Sequence, residues 1–288
     1  MISNKVLIPS TFDPIFKSLV QHNKFRPLLA LIINKCTGFP REYVYENLTF
    51  INGELPKEKY KEKGKITDVL VNVDDNIINI ECNQNMMAIK KNNLYHHKLA
   101  YEPYFLNDKI NDNAIYQINF NTKLKFDGRI VIAFALRDSE GKYTIEKNFK
   151  RIYVNLSNAF NRYKQGKRLT KFEKILVIMM LNNLNEMHLI AGSDKELMDM
   201  VKIIEELNED EKIIGLYDKE KMDKALNEYA LKKSEEDGIS KGRALGQAEG
   251  SNEEKINIAK AMLKKQMDIK DIVELTGLDE EKVLSLKI

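Results

Sequence analysis

Cysteine is scarce in this chain: Cys36 and Cys82 are the only two in 288 residues. Two cannot build a disulfide framework or, by themselves, a zinc site, and the simplest reading is a pair of reduced, buried thiols. Long apolar runs are also lacking. The longest, Ile175 to Leu181, falls well short of the roughly 20 residues that span a bilayer, so no transmembrane segment and no membrane partner are expected. The opening Met1–Pro9 has no positively charged region followed by a long apolar stretch, which argues against secretion and makes the cytoplasm the expected compartment. Nor is there an excess of one charge: 46 Lys and Arg against 43 Asp and Glu leave +3, too little alone to imply nucleic acid.

What is present is 43% hydrophobic and 31% charged residues, the profile of a highly charged globular chain long enough for one main core and a smaller module. The charge is segregated along the chain. Lys147, Lys150, Arg151, Arg162, Lys164, Lys167, Arg168, Lys171 and Lys174 follow one another with Glu173 as the only acid from 147 to 174. This run could lie along phosphates; equally, it could be a solvated helix face balanced by the acidic stretch from Asp194 to Asp223.

Thr11-Phe-Asp-Pro-Ile-Phe-Lys reads as a helix start, capped by Thr11 or Asp13 with Pro14 in the first turn. A second helix is expected from Phe25 to Lys35, stopping near Gly38 and Pro40, then a strand from Tyr43 to Ile51. Lys57 to Lys65 is too polar to pack and reads as an exposed loop. Residues Asn92 to Phe105 read as helical, and strands are expected at Ile115–Phe120, Ile130–Leu136 and Ile152–Leu156. From Leu169 to Leu231 the pattern is helical throughout. Gly238, Gly242, Gly246 and Gly250 recur at every fourth residue, as a close-packing helix face or as a frayed linker. The segment after them has three short helical patterns with a turn at Thr276-Gly277-Leu278, and Ile258, Met262, Ile272, Leu278 and Val283 can close a miniature helix-turn-helix core.

The most informative segment is 66–83, two β-branched runs flanking a polar turn. With Asp74 and Asp75 as the loop, Val73 faces Asn76, Leu70 faces Asn79 and Asp68 faces Glu81. Val69, Val71, Val73, Ile78, Ile80 and Cys82 then share the opposite, apolar face, and Asn83 returns to the carboxylate face. Like charges placed opposite each other destabilise a sheet. A bound cation accounts for them, and an all-oxygen ligand set suits Mg²⁺ or Mn²⁺; a solvated sheet edge is the competing account.

Asp68…Glu81-Cys82-Asn83 in strand-turn-strand resembles the D…(D/E)-x-K core of the PD-(D/E)XK nuclease superfamily. More narrowly, the chain resembles its recombination-promoting nuclease (Rpn) and transposase-like branch. That branch carries D-x-x-F-K in its opening helix, here Asp13, Phe16 and Lys17, and an iniE-x-Q strand, here Ile78-Asn-Ile-Glu81-Cys-Asn83. The glycine repeat and the closing segment from Ala259 to Leu278 also resemble the branch. The resemblance implies an α/β fold, a restriction-endonuclease-like mixed sheet flanked by helices with a C-terminal helical region and small helix-turn-helix-like tail. It implies a divalent-metal DNA endonuclease of recombination-promoting type, with Asp68 and Glu81 as metal-binding acids and DNA as partner.

Asn83 stands where that branch has Gln and the superfamily Lys. An amide can orient water but is no cation, so Gln84 or a lysine such as Lys17 would have to support catalysis. A protein that keeps the nuclease fold but acts by DNA binding or oligomerisation is the competing class. Asp13 and Lys17 match the helix motif as further catalytic candidates, although Asp13 is also a good cap. His96 and His97 diverge by about 100° on a helix and are not expected to be ligands. The organisation expected is a nuclease core over 1–160, a helical region over 161–233, a glycine-repeat linker or helix over 234–252, and a module over 253–288 that binds DNA or mediates self-association.

Overall fold

The alternation of β-branched residues in the hairpin sets the floor of the main core. The computed structural model describes residues 6–51, 54–55, 65–66, 68–83, 87–94, 96, 114–122, 127–144 and 149–286. They fall into two units that divide between Tyr217 and Asp218. In the first unit, β1 (Leu48–Ile51), β4 (Val69–Val73), β5 (Asn76–Asn83), β6 (Ile115–Asn121), β7 (Val131–Ala135) and β8 (Phe149–Asn155) form one sheet in the order β1-β4-β5-β6-β8-β7. The central pairs β5–β6 and β6–β8 are parallel and the outer pairs antiparallel, so the sheet is mixed. Short β2 (Glu54–Leu55) and β3 (Lys65–Ile66) pair separately.

The hairpin register follows the expected count, with Val73 beside Asn76, Leu70 beside Asn79 and Val69 beside Ile80. Asp74 takes a left-handed φ of 57° in the turn, a conformation Asp tolerates better than most residues. Val69, Val71, Val73, Ile78 and Ile80 are fully or nearly fully buried in a core with Ile118, Phe120, Ile152 and Val154 from the next strands. Each of these buried aliphatic side chains contributes about 1.5–3 kcal/mol. This face is covered by α1 (Asp13–Gln21), α2 (Arg26–Thr37), α5 (Leu156–Lys164), α6 (Lys171–Met180) and α8 (Lys195–Leu207), all of which contribute buried residues to that core. Phe16 on α1 meets Phe120 edge-on at 5.7 Å. Helix α6 is apolar nearly all round and is held at its start by the reciprocal Thr170–Glu173 capping box.

Several local expectations are corrected. The cap of α1 falls on Phe12, which has no side-chain capping bond; Asp13 is already inside the first turn. Tyr43 to Asn47 belongs to a helix, α3 (Arg41–Asn47), and only Leu48–Ile51 is strand: Pro40 sets the entry and Val44 alone is buried, a spacing too sparse for alternation to decide. Ile66 pairs with Glu54 outside the hairpin. The helix expected from Asn92 begins earlier, at 87–94 (α4), with His96 also helical; residues 97–105 and most of the Lys57–Lys65 stretch lie outside the described residues. Leu156 starts α5 instead of ending a strand.

The glycine repeat is helical, within the 54-residue α9 (Glu211–Lys264). In the second unit the end of α9 packs with α10 (Ile269–Thr276) and α11 (Glu280–Ser285). Their core is Ala259, Ile272, Leu278 and Val283 with Met262; Ile258 is 44% exposed because Ala259 takes the inward position. Gly277 closes α10 with a left-handed φ of 65°.

Candidate active site

Parallel pairing carries the polar face of the hairpin across the sheet. Glu81 on β5 lies beside Asn119 on β6, which lies beside Tyr153 on β8; one row up, Asn79, Gln117 and Arg151 align, and one row down, Asn83, Asn121 and Asn155. Side chains at paired positions share a face, so this face is built of carboxamides around one carboxylate. Asn79, Glu81, Asn83, Gln117, Asn119, Asn121 and Asn155 are all buried.

Asp68 sits one residue before β4, beside the strand that carries Glu81. Its Oδ2 accepts the backbone N–H of Cys82 at 2.9 Å. Its Oδ1 lies 3.4 Å from Lys17 Nζ, which also pairs with Asp13 at 3.0 Å. Burial raises the pKa of Asp68; the Cys82 N–H opposes this, the charge of Asp13 adds to it and Lys17 opposes it. Burial also raises the pKa of Glu81, and the charge of Asp68 adds to it. Partial burial works against the Lys17 ammonium, yet Asp13 and Asp68 together hold its pKa above the ordinary value. Burial and their mutual charge therefore both work against the two acids ionising together.

Helix α4 lies over this face and is tied to it by two adjacent asparagines. Asn92 Nδ2 donates to Glu81 Oε2 at 2.9 Å and to Asn83 Oδ1 at 2.8 Å. Gln117 Nε2 donates to the Asn92 carbonyl at 3.0 Å, and Arg151 Nε donates to Gln117 Oε1 at 2.8 Å. Asn93 Nδ2 donates to the Tyr153 hydroxyl at 3.0 Å, and Arg151 Nη2 to the Asn93 carbonyl at 3.3 Å. Asn83 Nδ2 in turn donates to Asn119 Oδ1 at 3.0 Å. Glu81 Oε1 is buried without a hydrogen-bond partner among the described residues, an oxygen available to a ligand that supplies positive charge.

Asp68, Glu81 and Asn83 thus come together, with Lys17 at the Asp68 end. Asp13 stands at their rim, its side chain 56% exposed and paired to Lys17, close enough for its charge to raise the pKa of Asp68. His96 is buried with Nε2 at 3.3 Å from the Ile115 carbonyl; His97 and Gln84 lie outside the described residues. Asn92, Asn119 and Gln117 escaped the sequence reading, and Arg151 entered it only as one member of the basic run. The signal for the β6 residues was there: Gln117, Asn119 and Asn121 alternate with Tyr116, Ile118 and Phe120, which makes a strand polar on one face. No sequence signal marks Asn92. Among the described residues no group of three or more His, Cys, Asp and Glu side chains gathers to hold a metal. The acids alone fit Mg²⁺ or Mn²⁺, ions that commonly take one or two carboxylates and keep water and phosphate oxygens as other ligands.

The mixed sheet thus carries Glu81 buried on its central hairpin, with Asp68 partly buried beside it. Residues 10–234 match the model of the PD-(D/E)XK nuclease family transposases, and the chain belongs to that family. Residues 252–287 match the C-terminal helix-turn-helix domain of the Rpn/YhgA-like nuclease family. No curated protein and no solved structure matches the chain. No helix among the described residues is long and apolar enough to cross a membrane.

Proposed function

We propose that the protein is a divalent-metal-dependent DNA endonuclease of the recombination-promoting type, with Asp68 and Glu81 as the metal-binding acids. The observation that carries this reading is a buried Glu81 with Asp68, 14% exposed, beside it at the start of the neighbouring strand, and with Glu81 Oε1 left without a partner among the described residues. A lone carboxylate pair has no structural reason to be buried, because desolvation costs several kcal/mol per ion, whereas bound Mg²⁺ or Mn²⁺ compensates both charges. The ion would supply an activated water and neutralise charge growing on the scissile phosphate. The chain's own groups do the rest. The Cys82 N–H fixes Asp68, Asn92 fixes Glu81, and Lys17, 3.4 Å from Asp68, stands in for the amine missing at Asn83. Water adds to phosphorus as the bond to one sugar oxygen breaks, and that oxygen leaves with a proton. The helix-turn-helix module serves to hold DNA, and α9 offers the C-terminal region a route to self-association. Action in the cytoplasm is part of the same reading.

A second reading rests on Asn83, whose amide nitrogen is taken up by Asn119: a chain that binds DNA without cutting it. Supercoiled plasmid incubated with protein and Mg²⁺ or Mn²⁺ separates the two. The expected outcome is nicking by wild type that falls at least 100-fold, on the order of the loss from removing a metal ligand or its support, in Asp68→Ala and Glu81→Ala. Equal nicking by all three rejects the site, and no nicking by any favours binding alone.

A further inference from the structure

We infer that Asn119 is the hydrogen-bond donor to a non-bridging oxygen of the scissile phosphate, in the role that the third motif position cannot fill in this chain. The inference rests on the endonuclease reading above. Its basis is the direction of the amide chain. A carboxylate holding a cation can only accept hydrogen bonds, so the Asn92 group facing Glu81 is its NH₂. The same NH₂ reaches Asn83, which must therefore present its oxygen. The NH₂ of Asn83 then points the other way, into the oxygen of Asn119. Each amide in the series is oriented by the one before it, and the last has its NH₂ left over. Asn119 Nδ2 is fully buried and has no hydrogen-bond partner among the described residues.

An independent chain supports the same placement. Arg151, a donor only, orients Gln117, whose NH₂ is spent on the Asn92 carbonyl, so Gln117 cannot serve in its place; Asn79, the other amide of that row, also has an unspent Nδ2 among the described residues but stands on β5 itself, not on the strand beyond Glu81. Asn119 is the register partner of Glu81 on β6, while Asp68 flanks Glu81 on the β4 side. The unspent donor of Asn119 therefore lies across Glu81 from the second acid. A phosphate reaching an ion held by both acids would have one non-bridging oxygen toward the ion and another within reach of Asn119. A buried donor with no partner costs about 1–3 kcal/mol, and an acceptor arriving with the substrate relieves this; such preorganised donors act on the charge that develops in the transition state.

The test uses the full chain and a short DNA duplex with stereochemically defined phosphorothioates. Mn²⁺ is the ion, because it accepts sulfur and suppresses the effect at the oxygen facing the metal. Wild type should still be slowed by sulfur at the other non-bridging position. Asn119→Asp, the same size without the NH₂, should lower kcat by about 10²–10³, the loss seen on removing one such donor, with KM for DNA and Mn²⁺ binding within a few-fold. That variant should also lose the residual sulfur effect, which a purely structural residue would leave unchanged. Wild type that cuts with no residual sulfur effect overturns the inference whether or not the variant folds. So does an Asn119→Asp chain that cuts at the wild-type rate. Wild type that cuts no DNA at all overturns the endonuclease reading and this inference with it.

Discussion

At the scale of single residues, the site is a contest between burial and charge. Asp68 and Glu81 are both held above the ordinary carboxylate range, chiefly by burial. A raised folded pKa means that the folded state binds more protons than the unfolded one, so stability falls as pH rises through that interval. The protein without metal should therefore be most stable at mildly acidic pH. It should lose stability from about pH 4, where unfolded carboxylates titrate, upward through neutrality. Mg²⁺ favours the ionised pair and should flatten the slope. Urea unfolding at several pH values with and without Mg²⁺ checks this, and a slope that persists unchanged in Asp68→Asn with Glu81→Gln would place its origin elsewhere. Lys17 moderates this contest at the Asp68 end, 3.4 Å from that carboxylate.

Among the elements, the hairpin was legible because one physical rule decides it. Strict alternation fixes the buried face and therefore the register, and a slip by one residue would bury Asn79 and Glu81 in the apolar core. That register brings Asp68 to Cys82 N–H, one residue past Glu81, a contact that counting alone could not resolve. The roles of Asn92 and Asn93 were not legible, since polar residues on a short helix carry no mark of what they will face. Tyr43 to Asn47 was misread because aromatic and β-branched residues favour strands, while Pro40 and a single inward Val44 settle it as helix. In α9 the four regularly spaced glycines occupy ordinary helical backbone, and a Cβ at Gly242 would meet nothing within 4 Å. Gly242→Ala should accordingly stabilise the helix by about 1 kcal/mol, seen as increased helicity and a higher Tm. A loss of stability, or of a concentration-dependent oligomer, would instead show that a second helix packs against the stripe.

For the molecule as a whole, two units divide the labour that the two family matches suggest. The first holds the sheet, the acid pair and the helical cover, while the second has its own small core around Ala259, Ile272, Leu278 and Val283. Part of the basic run in the first unit is internally spent: Arg162 pairs with Glu173, and Lys171 with Asp194 and Glu196. Lys164, Lys167 and Arg168 stay exposed, so the run is in part scaffold and in part a basic surface beside α5. The central claim is that Asp68 and Glu81 together hold one divalent ion, and calorimetric titration of the full chain with Mn²⁺ tests it most directly. Wild type should bind one ion, with affinity rising with pH as the acids ionise, and Asp68→Asn and Glu81→Gln should each weaken it at least 10-fold. Unchanged Mn²⁺ binding in both variants would contradict the account.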